Sequence, residues 1–151
     1  MSFIDWTEQM SIHVPEMDAQ HMQLIQLLND LHDAMEEGKE WDVVATILIR
    51  LINYTNSHLE AEERFMESID YKFAVSHKIS HDNLANEVIE LQAEYSAGNP
   101  NVSYRLLNLL SGWLVNHIDK EDRKYGEYYL RRVAEGLGGT SSINKDVASV
   151  L

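Results

Sequence analysis

The sequence contains no cysteine, which excludes disulfides, thiol catalysis, thiolate zinc sites and iron–sulfur clusters. It also lacks the basic start and apolar run of a signal peptide. No segment approaches the ~18 uninterrupted apolar residues that a membrane span needs. We therefore expect a cytoplasmic protein with no membrane partner.

Positive charge is scarce as well. Only 12 Lys and Arg residues accompany 25 Asp and Glu residues, so the formal net charge is -13. A surface this acidic repels phosphate backbones, and we expect no nucleic-acid partner. The length of 151 residues and the hydrophobic fraction of 44% suit one domain with one core.

Proline and glycine are few and fall between long segments that have helical periodicity. These segments cover about residues 18–37, 40–69, 73–96 and from 103 onward. Each segment carries one apolar stripe, so the sequence predicts an all-α, antiparallel, up-down-up-down four-helix bundle with an N-terminal arm. We expect residues 1–135 to form the domain and residues 136–151 to form a flexible tail or linker.

Five of the seven histidines interrupt the apolar stripes in register, together with two carboxylates. The set comprises His21, His58, Glu62, His77, His81, His117 and Asp122. A buried polar group without a partner costs about 1–3 kcal/mol, and a typical domain is stable by only about 5–15 kcal/mol. Metal coordination would satisfy all seven groups at once. The alternative, a separate carbonyl partner for each imidazole, explains one buried histidine more readily than five.

The spacing within this set is regular except at one place. His58 and Glu62, and likewise His77 and His81, are four residues apart and share a helix face. Asp122 follows His117 by five residues, about 140° away on an ideal α-helix. The sequence therefore predicts a helix end, a π-type bulge or a tightened turn near residues 119–122.

The number of ligands indicates two metal ions. Imidazole and carboxylate ligands suit iron, and also zinc, manganese or nickel. Two roughly octahedral ions offer about twelve positions, and five histidines, two bridging carboxylates and one oxo or hydroxo bridge fill about eleven. The open position then lies on the ion with two histidines. A neutral, histidine-rich ligand set favours reversible O₂ binding over oxygenation.

Several stretches of the sequence resemble the bacterial hemerythrins, or bacteriohemerythrins. They are Trp6, the MDAQH sequence at 17–21, the HLEAEE sequence at 58–63 with Met66, the HKISH sequence at 77–81, and the WLVNHI sequence at 113–118 with Asp122 and Tyr125. The resemblance implies a bundle that holds two irons bridged by oxo or hydroxo and by Glu62 and Asp122. It assigns His77, His81 and His117 to one iron and His21 and His58 to the other. O₂ and small anions would bind to the two-His iron.

The function implied is O₂ binding, for storage, delivery or sensing, by a chain that we expect to be monomeric. No catalytic residue is predicted. Two alternatives stay open: a di-iron enzyme acting on nitric oxide or peroxide, and an O₂- or redox-sensing regulatory domain of a larger protein. The predicted lining of the O₂ pocket is Leu28, Leu59, Trp113, Leu114 and Ile118.

Other polar residues are expected to lie outside the metal site. His13 and His32 fall outside the ligand pattern, and Glu63, Asp119 and Glu121 are expected to be solvated rather than to be ligands. The chain also departs from the family at three positions that are not ligands. Members of the family often have Gly at the position of His13, Pro at that of Lys72 and Phe at that of Leu84.

Overall fold

The computed structural model describes residues 2–136, and in this range the chain is helical without strands. The helices are α1 (Pro15–Glu36), α2 (Glu40–Ser68), α3 (Ala74–Ser96), α4 (Val102–Asn116) and α5 (Arg123–Ala134). A π-helical turn (His117–Asp122) joins α4 to α5, so these three elements form the fourth long helix. The predicted fold class is confirmed, with helix ends within a few residues of those expected. Except for Gly136, the predicted tail lies outside the described residues, and the domain boundary stays a prediction.

The helices pack as a ring, in which α1 and α3 each contact both α2 and α4. The apolar stripes meet inside the ring, where Leu28, Leu31, Leu51 and Leu106 have no exposed surface. Each such leucine contributes about 1.5–3 kcal/mol of transfer free energy. No helix in the described range is long and apolar enough to cross a membrane.

The N-terminal arm is fastened to the start of α1 and to α5. Asp18 accepts hydrogen bonds from the backbone N–H of Ile12 at 3.0 Å and from the Ser11 hydroxyl at 2.6 Å. Ile12 is buried, and a Cβ atom on Gly126 would lie 2.3 Å from the carbonyl oxygen of Ile12. Glycine at position 126 therefore allows the arm to lie directly against the backbone of α5.

The arm bends at His13, which has a φ of 62° and is exposed, as expected. This is the left-handed region, which glycine enters without the steric cost that a Cβ atom brings. The family's frequent glycine at this position matches that conformation, and the departure at His13 thus concerns the backbone of the arm.

Candidate metal centre

The seven predicted ligands lie together at one end of the bundle. His21 and the pair His77 and His81 lie near the beginnings of α1 and α3, where α2 and α4 end. All seven side chains are buried, and His21, Glu62 and Asp122 have no exposed surface. The antiparallel arrangement explains the grouping, because it brings alternate helix ends to the same end of the bundle.

Three imidazoles converge on one side of this group. The Nε2 atom of His117 lies 3.0 Å from Nε2 of His77 and 3.1 Å from Nε2 of His81. Oδ1 of Asp122 lies 2.9 Å from His77 Nε2 and 3.0 Å from His117 Nε2. The ligand atoms of these residues and of Glu62 are close enough to one another to hold one metal ion.

His21 and His58 form the other side and share both carboxylates with the first. Oδ2 of Asp122 lies 3.0 Å from His21 Nε2. Oε1 of Glu62 lies 2.9 Å from His58 Nε2 and 3.3 Å from His81 Nε2. Each carboxylate thus contacts a histidine of both groups, which is the position that a bridging ligand would take.

The π-helical turn aligns Asp122 with His117. In a π-helix the backbone hydrogen bonds join residues five apart instead of four, so residues at a five-residue spacing lie on the same face. Both side chains therefore point into the core. Of the three local structures that this spacing predicted, the π-type bulge is the one found.

Unpaired polar atoms indicate that the group is built for metal. Within residues 2–136, His21 Nε2, Glu62 Oε1 and both oxygens of Asp122 are buried and make no hydrogen bond. They lie close to other polar atoms without hydrogen-bond geometry, as lone pairs directed at a common point would. Nitrogen and oxygen donors in this combination suit iron and other divalent first-row metals.

Electrostatics in the metal-free site favour ionised carboxylates. Burial and the charge of Asp122 oppose ionisation of Glu62, but His58 and His81 outweigh them and lower the pKa of Glu62. Burial likewise opposes ionisation of Asp122, and its close contacts with His117, His21 and His77 hold the pKa well below the ordinary value of 3.8. Burial opposes the charged form of His21, yet contact with Asp122 raises its pKa above 6.5. Both carboxylates are therefore ionised in the metal-free site, and a metal ion would replace the protons of the histidines that contact them.

Tyr125 adds a contact that the sequence did not reveal. Its hydroxyl donates a hydrogen bond to Oε2 of Glu62. Burial and the charges of Glu62 and Asp122 raise the pKa of Tyr125 well above 10.0, so the phenol keeps its proton. Because Tyr125 follows Asp122 by three residues on the same helix face, this spacing was a signal that could have identified it.

Polar side chains also contact the ligand histidines at the nitrogen remote from the group. His58 Nδ1 lies 2.5 Å from Gln20 Oε1, and His117 Nδ1 lies 2.9 Å from Glu121 Oε2 and 3.3 Å from the Ser80 hydroxyl. Glu121 is only partly exposed, and it contacts a ligand although it is not one. The sequence analysis missed these contacts, which join residues on different helices except for His117 and Glu121.

Of the five residues predicted to line the pocket, Leu28, Leu59, Leu114 and Ile118 are buried, and their role as a lining stays a prediction. Trp113 is half-buried and stacks on His117 with ring centroids 4.1 Å apart. The indole ring therefore covers the three-His side of the group.

The polar residues expected outside the site behave differently from one another. His32 stacks on Phe3 at 4.5 Å, away from the ligands. Asp119 is exposed beside Arg123. Glu63, which is partly exposed, lies 3.7 Å from His81 Nδ1, an ion-pair distance rather than a hydrogen bond.

Residues 13–129 match the family described as the hemerythrin HHE cation-binding domain. The chain belongs to the hemerythrin family. It is 35% identical over 125 residues to a bacteriohemerythrin of Pseudomonas aeruginosa, covering 83% of this chain and 80% of that one. It is 32% identical over 127 residues to a bacteriohemerythrin of Methylococcus capsulatus, covering 83% and 96%. A crystal structure of a hemerythrin mutant superposes with a TM-score of 0.77 at 31% identity, covering 84% and 97%.

The family explains the buried cluster. Hemerythrins hold a di-iron centre, and the histidines and carboxylates of this chain provide a donor set that suits two irons. The matched segment begins at His13 and ends at Tyr129, so it contains all seven candidate ligands.

Proposed function

We propose that this chain binds O₂ reversibly at the two-His end of a di-iron centre. The proposed ligands are His77, His81 and His117 for one iron, His21 and His58 for the other, and Glu62 and Asp122 as bridges. Two iron(II) ions supply the electrons that O₂ binding requires.

The observation that supports the proposal is the unequal division of histidines around two shared carboxylates. Asp122 directs one oxygen to His21 and the other to His77 and His117. Both irons would therefore receive the same bridges but a different number of imidazoles. The iron with fewer imidazoles keeps a position for a small ligand.

We expect buried apolar side chains near the ligands to limit the access of water to the centre. Leu114 and Ile118 flank His117 in the chain, and both are buried. With Ile25, they also line a surface cavity of about 180 Å³ on the outer side of α1 and α4. Such an apolar cover would slow autoxidation, because loss of bound O₂ as hydrogen peroxide takes up protons.

The relatives reported above carry the name bacteriohemerythrin, which supports a binding function over the enzyme and sensor alternatives. The cytoplasmic location and the monomeric state expected from the sequence stay predictions.

Anaerobic reconstitution with iron(II), followed by O₂ titration and visible absorption, tests the proposal. We expect about two irons per chain, a spectrum that appears with O₂ and reverses when O₂ is removed, and an oxidised protein whose spectrum changes with azide. One iron per chain, or two irons that ignore both O₂ and azide, would contradict the proposal. A Glu62→Ala variant should lose metal, whereas the exposed-site control Glu127→Ala should keep it.

Substitution of Leu114 by Ala tests the role of the apolar cover. The smaller side chain should admit water and speed autoxidation, with iron content unchanged. Val115→Ala is the matched control, because Val115 is exposed on the same helix. Equal autoxidation rates in the two variants would show that Leu114 does not protect the site.

A further inference from the structure

The ligand histidines differ in what binds their second nitrogen. On the three-His side, His117 Nδ1 contacts the carboxylate of Glu121 at 2.9 Å. On the two-His side, His58 Nδ1 contacts the neutral amide oxygen of Gln20 at 2.5 Å, and His21 Nδ1 has no hydrogen-bond partner within residues 2–136. The three-His side thus has a negatively charged side chain at the second nitrogen of a ligand, whereas the two-His side has only a neutral one.

Each of these contacts determines which nitrogen of the ring carries the proton. An amide oxygen only accepts, so Nδ1 of His58 donates to Gln20. Nδ1 of His117 lies at ion-pair distance from Glu121, whose negative charge favours a proton on that nitrogen, and next to the Ser80 hydroxyl. In a neutral ring with its proton on Nδ1, the Nε2 atom presents a lone pair to the group; Nε2 of His117 lies 3.0 Å from Asp122 Oδ1, and Nε2 of His58 lies 2.9 Å from Glu62 Oε1. Both residues therefore prepare their histidine for coordination before any metal arrives.

The two acceptors differ in their effect on the strength of the ligand. A negatively charged carboxylate beside an imidazole N–H raises the electron donation of the opposite nitrogen, and a neutral amide does so less. Glu63 adds a second negative charge near the three-His side, 3.7 Å from His81 Nδ1. The negative charges of Glu121 and Glu63 therefore add to the difference in metal affinity that the third histidine already makes between the two positions.

We propose that Glu121 and Gln20 are positioning residues that set the two metal positions to different affinities, the three-His position being the tighter. This inference rests on the proposed function, since it needs two metal positions. Glu121 strengthens His117 as an electron-pair donor to the metal, and Gln20 orients His58 without strengthening its donation to the same degree. The weaker position is the one that keeps room for an exogenous ligand.

Stepwise binding of iron(II) to the metal-free protein under anaerobic conditions, in competition with a chelator, tests the inference. The wild type should bind two irons in two resolved steps. Glu121→Gln keeps the size of the side chain but removes the charge, and should weaken the tighter step by about 10-fold, the lower end of the range of about 10–100-fold that mutation of outer partners of metal ligands costs in affinity. Gln20→Glu adds the charge on the other side and should strengthen the weaker step, whereas Gln20→Ala should weaken it.

Glu127→Gln is the matched control, because it removes the same charge from an exposed position on α5. It should leave both steps unchanged. Thermal unfolding of each metal-free variant tests for damage to the fold, and the opposite effects of Gln20→Glu and Gln20→Ala would not arise from such damage.

The outcomes separate the inference from the proposed function. A wild type that binds fewer than two irons would refute the proposed function itself. Two irons bound with equal affinity, equal effects of Glu121→Gln and Glu127→Gln, or the same direction of change in both Gln20 variants would overturn the inference and leave the function standing.

Discussion

Replacement of Tyr125 by Phe removes one hydroxyl from the centre of the molecule and changes little else. The Tyr125 ring is fully buried and contacts Phe65, Tyr71 and His77 at centroid distances of 5.7, 6.4 and 5.6 Å. Phenylalanine retains these contacts. The hydroxyl donates to Oε2 of Glu62, so the substitution tests this hydrogen bond.

The size of the effect follows from the charge of the acceptor. A hydrogen bond to an ionised group contributes about 1.5–3 kcal/mol. For a chain of this length, 1 kcal/mol corresponds to about 2–4 °C in the melting temperature. We expect metal-free Tyr125→Phe to melt about 4–8 °C below the metal-free wild type, taking ~2 kcal/mol for the bond. The difference should shrink in the iron-loaded protein, where the metal also satisfies Glu62.

Differential scanning calorimetry of both proteins, with and without iron, measures these shifts. Tyr104→Phe is the control, because Tyr104 is exposed and its hydroxyl is hydrated in both states. A metal-free melting temperature within about 1 °C of the wild type would refute the reasoning, as would an equal loss in the control.

Three further predictions concern pH, packing and backbone conformation. In the metal-free protein, the lowered pKa of Glu62 stabilises the fold above pH 4.5, and this contribution is lost as the pH falls. The raised pKa of His21 stabilises the fold below pH 6.5, and this contribution is lost as the pH rises. Melting temperatures should thus decline above pH 6.5 without metal but not with it, since metal binds the unprotonated rings; parallel pH profiles would contradict this. Gly126→Ala should displace the arm, because the new Cβ meets the carbonyl oxygen of Ile12, and should cost about 1–3 kcal/mol in urea unfolding; unchanged stability would show that the arm is not fastened there. His13→Gly should relieve about 1–2 kcal/mol of strain from the left-handed backbone conformation, and glycine offsets part of this gain by roughly 0.5–1 kcal/mol through the entropy of the unfolded chain. The variant should therefore be at least as stable as the wild type, and a lower urea midpoint would argue against the strain.

The sequence predicted the ligand cluster because helical periodicity relates spacing to direction. His77 and His81 lie four residues apart, and the same rule that placed leucines in the core placed these two rings there. The rule failed only between His117 and Asp122, where it left three local structures open. Which of the three structures forms depends on how the whole fourth helix packs, and the local spacing does not contain this information.

The contacts around the ligands were largely beyond sequence reasoning. Gln20 and His58 are 38 residues apart in the chain, and no periodicity connects one helix with another. Glu121 was expected to be solvated because charged side chains usually are. The residue is indeed partly exposed, yet its carboxylate contacts His117, a combination that burial patterns alone do not distinguish.

The π-helical turn determines how the fourth helix would respond to the loss of one residue. Adding or removing one residue in a regular helix rotates everything that follows by about 100°, but here the extra residue of the turn absorbs that rotation. Deletion of the exposed Lys120 would therefore give an ordinary α-helix in which His117 and Asp122, then four residues apart, still share a face. Straightening the turn at its present length would instead rotate Tyr125 out of the core. The segment thus holds one residue more than a regular α-helix would need to place its two flanking candidate ligands on one face.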